Sequence, residues 1–295
     1  MPVELRYDRF GSPDAKGGPK LVVLHGLFGS RRNWRGAAKA LAASGEKRGQ
    51  GLTLFTVDLR HHGESPNRGP FSLEALAQDV CAFIEGPAIG GGPVTLLGHS
   101  LGGKVALQVL RQCPEVIERL VLADITPFRL SEEMCGGLRR VVAALQELQS
   151  SPAALESRGA AQELLGQRLA SPELVRFLLH NLRRGADRRL FLQLGIDAIA
   201  AGFDEACRSV LPEGRPESGL DGESAAGAAP TAAWRDTPLL TIRGEKSEYM
   251  PPEHFEALTS WFRMHTNITI KNAGHWLHVE RQEEFVKAVM EGLDI

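Results

Sequence analysis

The sequence predicts an α/β fold, a mostly parallel, doubly wound sheet with an inserted helical cap, and three observations predict it. Short, near-continuously apolar runs end in turns rich in Gly, His or Asp, helical patterns alternate with those runs, and the alternation stops over one long stretch where helical segments take over. Residues 20–25, 52–58 and 93–98 are the first three runs. Apolarity without alternation is what a parallel strand covered on both faces should show. Helical patterns over 34–43, 72–85 and 101–111 lie between and after them, and strand then helix, repeated, implies parallel pairing. Residues 119–124 (RLVLAD), 238–243 (PLLTIR) and 267–271 (NITIK) read as three further strands, with helices over 252–262 and 282–292 completing the pattern.

The interruption divides the chain into a core of residues 1–125 and 236–295 and a helical cap insertion over 126–235. Ser151-Pro152 and Ser171-Pro172 read as helix starts, a serine cap followed by proline at the first helical position. Over 172–184 the residues Leu174, Val175, Phe177, Leu178 and Leu182 fall on one helical stripe, which gives this helix a face to bury. Residues 212–233 are crowded with Gly, Ala, Ser, Pro and Glu and are expected to form a flexible surface loop.

Composition narrows the function classes. With 43% hydrophobic and 24% charged residues over 295 positions, the chain can build a sizeable core. A formal net charge of −2 and 6% aromatic residues supply neither the basic field nor the stacking surface that nucleic-acid binding needs. Cys81, Cys113, Cys135 and Cys207 are widely spaced with no CxxC pair, so neither zinc nor a disulfide framework is expected, and buried thiols are. No apolar run reaches the roughly 18 residues a membrane span needs, and residues 1–6 resemble neither a secretory signal nor a transit peptide. The expected location is the cytoplasm or an organelle interior such as the mitochondrion, rather than outside the cell.

The chemistry is concentrated at three turns. Gly98-His99-Ser100-Leu101-Gly102 places G-x-S-x-G directly between a strand and a helix. Such a turn presents the serine hydroxyl at the carboxyl edge of the sheet, and small residues two positions either side let the chain pass. Ser100 is therefore the candidate nucleophile. The backbone N–H of Leu101, at the start of the helix, and that of Leu27 (less favoured, Phe28), in the turn after the first strand, are the candidate oxyanion donors. Asn272-Ala273-Gly274-His275 follows the last strand and offers His275 as the base, because an imidazole can take and return a proton near neutral pH. His278 reads as structural, and His25, His61, His62 and His99 as turn residues with packing or supporting roles.

Together these blocks resemble the α/β-hydrolase superfamily. Asp58-Leu59-Arg60-His61-His62-Gly63-Glu64-Ser65, Ser100-Leu101-Gly102-Gly103-Lys104, Asp124-Ile125-Thr126-Pro127 and His275-Trp276-Leu277-His278-Val279-Glu280 are similar to the motifs of the YbfF-type esterases and the abhydrolase domain-containing protein 11 group. One departure stands out: after strand 238–243, where most of the superfamily places its acid, Ser247 occupies the position. A neutral serine cannot balance an imidazolium. The resemblance implies that Asp124, at the end of the preceding core strand, supplies the carboxylate. Asp197 is the second choice and Glu248 a further competitor.

The resemblance implies a Ser-His-Asp hydrolase working through an acyl-enzyme, with no metal and no cofactor, on a small-molecule carboxyl ester or thioester, and the Leu-, Ala- and Phe-rich cap sequence favours an apolar acyl group. The same three residues could instead serve carbon–carbon bond hydrolysis or proton abstraction, and a noncatalytic scaffold on this fold is the non-enzymatic alternative. No feature of the sequence assigns an oligomeric state.

Overall fold

The computed structural model describes residues 1–11, 18–49, 51–210 and 232–294. The first half runs β1 (Tyr7–Phe10), β2 (Lys20–Leu24), α1 (Arg35–Lys47), β3 (Thr53–Val57), α2 (Leu73–Glu85), β4 (Val94–His99), α3 (Leu101–Gln112) and β5 (Ile117–Ala123). Between β5 and the next core strand come α4 (Glu132–Gln149), α5 (Arg158–Arg168), α6 (Pro172–Leu179), β6 (Leu182–Arg184), β7 (Leu190–Leu192), α7 (Ile196–Ala201), α8 (Asp204–Cys207) and α9 (Ala232–Asp236). The chain then closes with β8 (Leu239–Gly244), α10 (His254–Trp261), β9 (His265–Ile270), α11 (Leu277–Glu280) and α12 (Gln282–Gly292).

The main sheet has seven strands in the order β1-β3-β2-β4-β5-β8-β9, with β1 antiparallel to β3 and every other pairing parallel. Strand periodicity divides its side chains between two cores. Val22, Leu24, Leu96, Leu120 and Leu122 face the α2–α3 side, whereas Leu21, Val23, Leu97, Val121 and Ala123 face α1 and α12. Because both faces are covered, β3 and β4 are buried at every residue, the reason their sequences show no polar alternation.

The chain passes from β2 to β3 on one side and returns to β4 on the other, so β2 and β4 are neighbours at which the winding reverses. A crevice opens at the carboxyl ends of strands at such a point. The turns after β2 and β4 both lie there.

Several expectations are corrected. Strands do not vanish between residues 126 and 234: β6 and β7 form an antiparallel hairpin there, each too short to show a period. The helix expected over 172–184 stops at Leu179, and Leu182 belongs to β6. Ser171 caps α6 as expected, accepting from the Leu174 N–H at 3.1 Å, but Ser151-Pro152 opens only a turn; α5 begins at Arg158 with Ser157 as its cap. Cys81 and Cys113 are joined in a disulfide rather than reduced, because α2 packs on α3 and brings Cα atoms 32 residues apart to 6.5 Å. Cys135 and Cys207 are buried free thiols. The loop expected over 212–233 lies, up to residue 231, outside the described residues. No helix among the described residues is long and apolar enough to cross a membrane.

Candidate active site

Ser100 sits at the junction of β4 and α3 with φ 52° and ψ −123°, a left-handed conformation that costs energy for a residue with a Cβ. Its surroundings impose it. A Cβ on Gly98 would collide with the Gly102 carbonyl, and one on Gly102 with the Leu24 carbonyl of β2, so only glycines let strand and helix approach this closely. The Ser100 N–H donates to Ala123 O at 3.2 Å, tying the turn to the end of β5.

His275 lies in the turn between β9 and α11. Its Nδ1–H donates to Asp124 Oδ2 at 2.7 Å. Asp124 is fully buried, with φ 56°, and all its partners are donors: the Gly244 N–H reaches Oδ1 at 3.0 Å, and the Ser247 hydroxyl bonds Oδ2. The serine in the usual acid position thus donates to the carboxylate from the neighbouring strand. An ionised, fully desolvated Asp needs such donors, or its burial would be too costly.

The imidazole is confined from several directions. Tyr249 stacks on it with centroids 3.8 Å apart, and burial pushes the Tyr249 phenol up to about 12. His99 Nε2–H donates to the His275 carbonyl at 2.8 Å. The exposed Glu280 carboxylate accepts from the backbone N–H groups of Gly274 at 2.6 Å and Trp276 at 3.2 Å, clamping the turn on both sides of His275. The Asp124 carboxylate can only accept, and that fixes one tautomer: Nδ1 carries the proton and Nε2 is free to accept one. Ser100 and His275 line the same cavity, and among the described residues Ser100 Oγ makes no hydrogen bond. Such bonds commonly close only when substrate arrives.

The turn after β2 is braced by the 58–65 motif. Asp58 Oδ1 accepts from the Arg31 N–H at 2.7 Å and its other oxygen pairs with the Arg31 guanidinium. His25 Nε2 accepts from the Leu59 N–H at 3.0 Å, and His62 Nε2 accepts from the Phe28 N–H at 3.3 Å. That last bond distinguishes the two candidate donors, since the Phe28 N–H is already engaged while the Leu27 N–H has no acceptor among the described residues. Leu101, as the first residue of α3, has no acceptor within its helix.

Both brace histidines must stay neutral to accept. Burial lowers His25 to about 4 and His62 to about 3. His278 is buried flat against Trp34, centroids 4.0 Å apart, and burial lowers it to about 3, in keeping with a structural role. His61 is held by Asn67 and Gly69. His99 is the last residue of β4 rather than a turn residue.

The competing carboxylates are placed elsewhere. Asp197 is exposed on α7, accepting from the Gln146 and Gln149 amides of α4 at 3.3 and 2.9 Å, so it is a surface helix contact and not a partner of His275. Glu248 borders the cavity but is exposed, with no bond to the imidazole among the described residues. Ser247 as a donor, Tyr249 and the clamping contacts of Glu280 are the site features that sequence reasoning missed. The E of the H-W-L-H-V-E run was in view, but nothing in its spacing shows that it folds back onto Gly274 and Trp276.

The cavity holds about 1410 Å³. Ser100, Leu101, His275 and the 25–29 turn form its floor, and Leu130, Met134, Leu138 and Val141 from around α4, with Leu174 and Phe177 of α6, form much of its wall. Asn181, just after α6, donates its amide to the Phe28 carbonyl at 2.9 Å, tying the helical segment to the turn carrying Leu27. Among the described residues no cluster of His, Cys, Asp or Glu is arranged to hold a metal ion.

Comparison with known proteins agrees with this architecture. A model of the alpha/beta hydrolase family matches residues 21–288. The chain is 32% identical over 272 residues to a Mus musculus protein named sn-1-specific diacylglycerol lipase ABHD11, covering 92% of this chain and 80% of that one. It is 27% identical over 273 residues to the Escherichia coli (strain K12) esterase YbfF, covering 91% of each. Among solved structures it resembles a marine microorganism esterase with a TM-score of 0.82 and 26% identity, over 98% of this chain and 99% of that one. The sequence motifs, the sheet order and these matches agree, and the chain belongs to the alpha/beta hydrolase family.

Proposed function

We propose that this protein is a serine hydrolase that cleaves carboxyl esters or thioesters with an apolar acyl group through Ser100, His275 and Asp124. It is a carboxylic ester hydrolase, in keeping with relatives named lipase and esterase. The observation that carries the triad is the 2.7 Å bond from His275 Nδ1–H to the buried Asp124 carboxylate, at the floor of the cavity that the Ser100 elbow also faces.

His275 Nε2 takes the Ser100 proton as Oγ attacks the acyl carbonyl, and the Leu27 and Leu101 N–H groups stabilise the tetrahedral oxyanion. Collapse expels the alcohol or thiol with that proton and leaves an acyl-enzyme. Water, activated by the same nitrogen, then releases the acid. Asp124 stabilises the imidazolium and holds the tautomer throughout. Residues 126–235 act as a cap over the carboxyl edge of the core, and the apolar residues of α4 and α6 form the roof against which the acyl chain packs.

Turnover of a panel of acyl esters and thioesters by wild type and Ser100→Ala tests this reading. Wild type should turn over apolar acyl substrates and the variant should lose nearly all rate; equal rates would overturn it.

A further inference from the structure

The β6–β7 hairpin is unusual on this surface. Leu182, Leu190 and Leu192 are buried and anchor it, but residues 183–189 carry four arginines against one aspartate, in a chain whose formal net charge is −2. None of Arg183, Arg184, Arg188 and Arg189 pairs with a carboxylate among the described residues; Asp187 instead accepts from the Arg189 backbone N–H at 3.0 Å. Register places Phe191 directly opposite Arg183, so the two side chains share one face of the hairpin. Arg183 lines the cavity, and Phe191 beside it is 45% exposed. Val279, another of the few large apolar residues left in solvent, is 62% exposed and also lines the cavity.

An exposed aromatic residue on a hairpin whose four arginines make no ion pair among the described residues is the chemistry of a surface that rests on an anionic lipid interface. The apolar side chains enter the headgroup–acyl boundary, and each guanidinium near the surface adds an increment of attraction. We propose that the β6–β7 hairpin and the adjoining cavity mouth dock on an anionic phospholipid bilayer, through Arg183, Arg184, Arg188, Arg189 and Phe191. Docking turns the mouth toward the lipid, so an apolar acyl ester can enter without crossing bulk water. That consequence rests on the proposed hydrolase; the docking itself does not.

The test is co-sedimentation of the full chain with vesicles of phosphatidylcholine alone and of seven parts phosphatidylcholine to three parts phosphatidylserine. Wild type should bind the mixed vesicles, weakly bind the neutral ones, and lose binding as salt rises. Arg184→Glu/Arg188→Glu/Arg189→Glu should lower partitioning at least about 10-fold. Phe191→Ser should lower it severalfold while leaving the salt dependence unchanged. None of these residues lines the cavity, so both variants should hydrolyse a water-soluble ester at the wild-type rate, which also verifies that they fold. Ser100→Ala should bind vesicles like wild type, which separates failure of docking from failure of the hydrolase reading. Absence of vesicle binding, equal binding by the triple variant, or binding to heparin or nucleic acid without binding to vesicles would overturn the proposal.

Discussion

Replacing Asp124 by asparagine isolates one atom's charge in the site. Every partner of this side chain is a donor: the Gly244 N–H at Oδ1, and the Ser247 hydroxyl and His275 Nδ1–H at Oδ2. The amide NH2 must therefore oppose one of them. The Gly244 N–H is backbone and cannot reverse, whereas a hydroxyl can rotate to accept and an imidazole can change tautomer. The NH2 consequently faces His275, the proton moves to Nε2, and the nitrogen that should receive the Ser100 proton is already occupied. Loss of the charge alone removes about 4 kcal/mol of attraction for the imidazolium, taking charges about 4 Å apart at an effective dielectric near 20, or about 10³-fold in rate. With the tautomer also wrong, the expected fall in kcat is about 10³- to 10⁴-fold. The assay is kcat at saturating p-nitrophenyl butyrate, with Asp197→Asn and Glu248→Gln as controls expected to remain within about twofold on the scale of ordinary surface substitutions. Asp124→Asn retaining a tenth or more of the wild-type rate, or a larger loss at Asp197, would refute the reasoning.

Ser247→Ala removes one donor from Asp124 while leaving the carboxylate charged, so kcat should fall by about 10- to 100-fold, the worth of one hydrogen bond to a charged group; an unchanged rate would show that His275 and Gly244 suffice to hold Asp124. The buried neutral histidines predict acid sensitivity. The folded pKa values of His25, His62 and His278 lie near 4, 3 and 3 and His99 is also lowered, all by burial, so the unfolded chain takes up protons first as pH falls below 6.5. The contribution of these histidines should be fully present above pH 6.5 and be lost steadily toward pH 4, read as a falling urea midpoint; a midpoint unchanged down to pH 4.5 would contradict this. Lys104 is fully buried, its ammonium donating to the Cys207 and Arg208 carbonyls at 3.2 and 2.5 Å, and burial lowers it to about 7. Its folded form thus releases a proton that the unfolded form keeps up to about pH 10.5, so wild type should gain stability relative to Lys104→Met between pH 7.5 and 9.5 at up to about 1.4 kcal/mol per pH unit, and parallel profiles would contradict it.

What could be read from the sequence was local. The parallel strands announce themselves because double burial strips them of polar residues, and the Ser100 elbow because two glycines and a strand-to-helix junction are needed within five positions. His275 follows from its place after the last strand. Asp124 was indicated through resemblance, since an aspartate ending a strand has many uses, and what marks it physically is a hydrogen bond spanning 151 residues. The parts that stayed hidden are of the same long-range kind. His62 and Phe28 are 34 residues apart, Ser247 and Asp124 123 apart, and Cys81 and Cys113 meet only because α2 packs on α3. The β6–β7 hairpin escaped for a different reason: three-residue strands carry too few side chains to display a period, and the apolar stripe of α6 runs straight into them.

The most direct measurement is peptide-resolved mass spectrometry after reaction with a fluorophosphonate probe, which is captured only by a serine whose proton is being withdrawn. Label confined to the peptide containing Ser100, and abolished in His275→Ala, is the predicted result. An unlabelled wild-type protein, or label on a different serine, would contradict it.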